Sequence, residues 1–149
     1  MNYGSGTGTK TYRIGDALGY RPVDVTVFNS NGIGGVTVST TNPDHPNIAT
    51  SDINPLKSVN RYWSVEVAVG NTDVWTTFNW TVADQDAGVN TNNFIVREYV
   101  STLPGWFVGT IISQTATSVK VRTVSNGRTD FQVGESLCVP TNDYRSAGS

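Results

Sequence analysis

Hydrophobic and polar residues alternate with a period of two along most of this chain, and no stretch carries a helical period. The clearest run is residues 61–69, where Trp63, Val65, Val67 and Val69 take turns with Tyr62, Ser64, Glu66 and Ala68. That spacing turns one set toward a core and the other outward, as in a half-buried strand. Gly70-Asn71-Thr72-Asp73 then offers turn chemistry, after which Thr76, Phe78 and Trp80 share one face and Trp75, Thr77 and Asn79 the other. The pattern predicts a central hairpin, with Trp63 and Trp80 in the core.

The same period recurs on both sides of it. Residues 10–14 read as a first strand, and in 22–29 Val23, Val25 and Val27 alternate with Asp24, Thr26 and Phe28. Ser30-Asn31-Gly32 is a turn, and Gly34-Gly35 loosens the start of the next strand, at 36–40. Residues 41–56 contain Pro43, Pro46 and Pro55, too many to sustain a ladder, so they predict a long connection crossing from one sheet to the other. Further strands are expected at 93–100, 106–112, 118–124 and 129–133, with a polar loop at 83–92 and a turn at Ser125-Asn126-Gly127. About nine short strands spaced by turns predict an all-β, antiparallel two-sheet sandwich.

Composition narrows the function classes. Only 15% of the 149 residues are charged, against about 25% in a typical domain, and Thr, Ser, Val and Gly are plentiful. Ten Lys and Arg against twelve Asp and Glu leave a formal charge of -2. With no basic field to neutralise phosphates, nucleic acid is not an expected partner. Cys138 is the lone cysteine, so neither a disulfide nor a multi-thiolate metal site forms within the chain. No apolar run nears the roughly 20 residues of a membrane span, so membrane insertion is not expected. The glycine-rich start and the SAGS finish read as linkers, giving a leader at 1–10, a sandwich at 11–135 and a tail at 136–149, a module within a longer protein.

The segments TYRIGDALGYRPVDVTV, DHPNIATSDINPLKSVNRYWSV, TTFNWTVADQDAGVNTNNFIV and TDFQVGE resemble, in that order, an Ig-like β-sandwich module of large secreted proteins of Bacteroidetes and related bacteria, often found near a C-terminal type IX secretion sorting domain. The resemblance covers residues 11–135. It implies a secreted or cell-surface location and a non-enzymatic, structural or adhesive role, and it carries over no catalytic residue. The chain departs from the pattern at VSTLPGWFVGTIIS, a longer and more apolar hairpin, and at Asp73-Val74-Trp75.

Several residues are candidates for binding. Asp84 and Asp86 flank Gln85 on a glycine-containing loop, an oxygen-rich setting suited to Ca²⁺, with Asn90 and Asn92 near in sequence. The preferred alternative is a tight turn in which the aspartates cap backbone N–H groups. Outward aromatic residues suit the apolar face of a sugar ring. Trp75 leads, beside Asn79, with Tyr62, Glu66 and Trp106 as further candidates for a polysaccharide platform. A spacer reading explains the same residues as contacts to neighbouring domains. Glu66 and Arg122, both outward, are candidates for a cross-strand ion pair. His45 has no nucleophile motif around it, so no enzyme is expected. A further reading is an extracellular filament in which the N-terminal segment adds a strand to the next copy.

Overall fold

Branched and aromatic side chains at alternating positions favour extended backbone, because they pack well on a pleated surface. The computed structural model, which describes residues 8–28, 35–103 and 105–137 and gives positions 28, 68–73 and 123–126 as backbone only, is accordingly all β. The strands are β1 (Gly8–Tyr12), β2 (Gly15–Asp16), β3 (Gly19–Tyr20), β4 (Val23–Phe28), β5 (Val36–Thr41), β6 (Ile53–Asn79), β7 (Phe94–Tyr99), β8 (Trp106–Val108), β9 (Thr110–Thr115) and β10 (Ser118–Ser136). All their pairings are antiparallel. Among the described residues the helical pieces are short 3₁₀ turns, and none is long and apolar enough to cross a membrane.

Two long strands frame the molecule. β6 and β10, of 27 and 19 residues, pair from Asn79↔Ser118 to Ile53↔Ser136 and belong to both halves of the fold. One half runs β5–β6–β10–β7–β8 and uses the start of β6 with the end of β10. The other runs β1–β4–β6–β10–β9 and uses the opposite ends. The halves fold over one core as an antiparallel two-sheet sandwich.

The central hairpin expected at residues 61–80 does not form, because residues 70–73 lie inside β6. Ser125-Asn126-Gly127 likewise lies inside β10, facing that stretch. These polar, glycine-containing segments mark the corner where both strands pass from one half to the other. Around the corner β6 advances from Val67 to Thr72 while β10 moves only from Gly127 to Ser125. Gly127 has a φ of 97° there, the left-handed backbone that a bulge favours and glycine supplies. The odd number of extra residues shifts the phase of β6, so Trp63, Val65 and Val67 face the core before the corner and Val74, Thr76 and Phe78 after it. β10 keeps its phase, with Val119, Val121, Phe131 and Val133 all buried.

Aromatic contacts join the halves. Trp63 stacks on Phe78 at 5.0 Å between centroids, Phe78 meets Phe131 at 4.9 Å, and Trp80 links Trp63 to Phe94. Trp63 and Trp80 thus occupy the expected core positions. Each fully buried side chain of this kind contributes about 1.5–3 kcal/mol of transfer free energy.

Three other expectations are corrected. The strand expected at 106–112 breaks at Gly109, whose N–H bonds Val96 O at 3.0 Å and where a Cβ would sit 2.8 Å from Val96 Cγ1. This close approach lets the chain leave β7 and join the edge beside β10. The connection after β5 does not cross between sheets, since β5 and β6 are neighbours in one half; it folds back over that half's outer face. β1 begins at Gly8, within the expected leader. Residues 1–7, the Ser30-Asn31-Gly32 turn and Cys138 with the rest of the tail lie outside the described residues.

Candidate functional site

The outer face of the β5–β6–β10–β7–β8 half is where polar and aromatic side chains gather. Alternation puts Tyr62 and Ser64 of β6, Asp130 and Gln132 of β10, Arg97 and Tyr99 of β7 and Trp106 of β8 on it. The connection at residues 42–52 covers this face. Its anchor is His45, which is buried although the loop around it is largely exposed.

The imidazole is held from every side. The Asn47 N–H donates to Nδ1 at 3.1 Å, so the proton resides on Nε2, which donates to Asp130 Oδ2 at 3.0 Å. The backbone N–H of His45 donates to Gln132 Oε1 at 2.9 Å. Tyr62, Tyr99 and Trp106 surround the ring at 4.8, 4.8 and 5.0 Å between centroids. Two of the proposed platform residues, Tyr62 and Trp106, are therefore brought together, but as walls around a histidine.

Ser64 Oγ donates to Asp130 Oδ1 at 2.6 Å, and Arg128 Nε reaches the same oxygen at 3.0 Å. The order Ser–Asp–His places the carboxylate between hydroxyl and imidazole. A nucleophilic serine needs the imidazole next to it to take its proton, so this chain of bonds fixes the loop and does not activate Ser64.

Trp106, like Tyr62 and Tyr99, is partly exposed. Its Nε1 donates to Asn47 O and Thr50 Oγ1, both at 3.0 Å, and its ring packs on Tyr99 at 5.1 Å. Two adjoining clefts share Trp106 and Thr50 in their walls. One, of about 300 Å³, adds Asn47, Tyr99 and Gly105. The other, of about 280 Å³, is lined also by Asp52, Arg97 and Val108. Arg97 Nε and Nη2 grip Asp52 at 2.7 and 2.8 Å, and this guanidinium holds the Asp52 carboxyl below the usual range. At the clefts Phe107 is 48% and Val108 74% exposed, so these two apolar residues face solvent.

The other candidates lie elsewhere. Trp75 is on the outer face of the second half, opposite Thr26 and Arg122 in register and with Lys120 Nζ 5.8 Å above its ring. It is not part of a platform with Tyr62 and Trp106. Asn79 is tied to Pro22 O at 2.8 Å. Glu66 is exposed and stands opposite Arg128 in register, whereas Arg122 stands opposite Trp75 in the other half, so the register does not bring Glu66 and Arg122 together.

Asp84 and Asp86 bond to different partners. Arg21 grips Asp84 at 2.5 and 3.1 Å, and Arg61 Nη2 donates to it at 3.1 Å. Burial alone would raise the Asp84 carboxyl, but the two arginines and the Thr81 N–H bring it down to about 2. Asp86 instead accepts from Ser58 N and Asn60 Nδ2, each at 2.9 Å. Among the described residues no three His, Cys, Asp or Glu side chains group as metal ligands. Arg61 Nη1 also bonds Asp16 Oδ2 at 3.0 Å and so ties in the β2–β3 hairpin.

Sequence reasoning missed this ion cluster and a second charge. Arg61 shares the phase of Trp63, and Glu98 that of Phe94 and Val96, so both are charged residues on the core face. Their phase was the available signal. Burial pushes the Glu98 carboxyl up to about 7. No family model, curated protein or solved structure matches the chain.

Proposed function

We propose that this chain is a non-catalytic structural or adhesive module of a secreted or surface-attached bacterial protein, with its contact face around Trp106. The observation that carries the reading is Trp106 itself: partly exposed, fixed by two hydrogen bonds, set between two clefts and flanked by the exposed Phe107 and Val108. Rigid aromatic groups beside exposed apolar residues give contact area at little entropic cost. The Ser–Asp–His order supports a non-catalytic role, and the resemblance to Bacteroidetes modules supports the location. The filament reading is weaker, because Thr9 and Lys10 already pair with Thr26 and Val25 of the same chain.

Adsorption of the isolated chain to bacterial envelope preparations tests the proposal. Val108→Asp, at an exposed position, is expected to abolish adsorption, and Trp75→Ala to leave it intact. The reverse pattern moves the contact face to the other half. Hydrolase turnover that disappears in His45→Ala would end the non-catalytic reading.

A further inference from the structure

We infer that the two-lobed groove at Trp106 is a subsite for a neutral carbohydrate chain, one sugar ring covering the indole and its neighbours filling the lobes. This rests on the adhesive reading and names its ligand class. The groove joins a flat apolar surface to polar atoms with unused capacity, the combination that a pyranose, apolar on its faces and hydroxylated on its rim, requires.

The unused capacity is specific. Neither the Tyr99 hydroxyl nor the Asn47 carboxamide has a hydrogen-bond partner among the described residues. Arg97 spends three N–H groups, two on Asp52 and one on Val96 O, of the five that a guanidinium carries, so two remain. The Asp52 oxygens keep lone pairs free as acceptors beside it. The groove walls thus hold both donors and acceptors, as hydroxyl groups that act as both require.

Charge selects against other ligands. Asp52 and Arg97 are the charged pair in these walls, and their bidentate contact offsets the two charges. An anionic ligand meets no free cation, and a cationic one meets a carboxylate already held. Size also fits an extended ligand. One lobe, of about 300 Å³, stands at the low end of the roughly 300–1,000 Å³ range of small-molecule sites and the other, of about 280 Å³, just below it, and the two share Trp106 and Thr50 in their walls.

The test is affinity electrophoresis and titration calorimetry of the whole chain with soluble β-glucan, mannan and xylan, and with alginate as the anionic comparison. Retardation by at least one neutral polysaccharide is expected, weakened about tenfold or more by Trp106→Ala. Because Trp106 also anchors the loop over His45, Tyr99→Phe is the second variant. It keeps the ring packing, leaves the Tm unchanged, and weakens binding about three- to tenfold by removing one hydroxyl. No retardation by any neutral polysaccharide, retardation by alginate alone, or equal affinity in wild type and Tyr99→Phe overturns the inference. If Val108→Asp loses envelope adsorption while no neutral polysaccharide binds, the adhesive face stands, its partner is a protein, and the carbohydrate assignment falls.

Discussion

Glu98 makes the stability of this fold depend on pH in a way a single substitution can isolate. It lies on β7 in phase with Phe94 and Val96, opposite Phe131 on one side and Phe107 on the other. Loss of solvation raises its carboxyl from 4.5 to about 7. A raised pKa means the folded state prefers the protonated acid. Below the unfolded value of 4.5 both states hold the proton and ionisation costs nothing. As pH climbs from there through about 7, the unfolded chain ionises first and stability falls. A rise of that size corresponds to a ceiling of about 3 kcal/mol. The side chain is partly exposed, and water screening reduces this to about 1–3 kcal/mol.

Glu98→Gln keeps the shape and removes the titration. Urea denaturation of both proteins at about pH 4 and about pH 8.5 separates the outcomes. The variant is expected to match wild type at the lower pH and to exceed it by about 1–3 kcal/mol at the higher, with an unchanged m value. A difference of the same size at both pH values would mean that packing or a hydrogen bond, and not ionisation, sets the effect. A wild type more stable than the variant at high pH would refute the argument outright.

Other positions carry sharp expectations of their own. Thr76 is fully buried between Val25 and Val121, and its Oγ1 has no hydrogen-bond partner. Thr76→Val should therefore raise stability by about 1–2 kcal/mol, seen as a higher Tm in thermal denaturation, and a fall would reveal a partner for the hydroxyl. Asp84→Asn leaves Arg21 buried without its counter-charge and Arg61 with Asp16 alone, and a loss of about 3–5 kcal/mol in urea denaturation at neutral pH is expected. In the wild type the contribution of Asp84 is full above its unfolded value of 3.8 and disappears as pH falls through about 2. A loss under about 1 kcal/mol in the variant would mean that the cluster is screened by solvent.

The limits of what could be read from the sequence come from one fact about strands: alternation reports the face of a side chain but not its partner. Trp63, Val65 and Val67, or Val119 and Val121, could be placed in a core because burial of one face is a local property. The partnering of β6 with β10 is not local, so glycine and asparagine at residues 70–73 and 125–127 read as hairpin turns when they serve a shared corner. Nothing in either segment alone distinguishes the two, whereas the opposed phases of Trp63 and Phe78 do, since they need an odd offset between them. The site was hidden for a related reason. Tyr62 and Trp106 were identified as outward aromatics, yet what organises them is His45, at the middle of a proline-rich loop with no period, bound to Asp130 and Gln132 some 85 and 87 residues later. The outward phase of those two polar residues, alternating with Phe131 and Val133, indicated a wet face; only the fold reveals that a loop lies on it. Charges in phase with the core were the one long-range feature that could have been read directly. Arg61 and Glu98 each break the apolar face of their strand. A carboxylate or guanidinium there must find a counter-charge or shift its titration. Arg61 takes the first course with Asp84 and Asp16, and Glu98 takes the second.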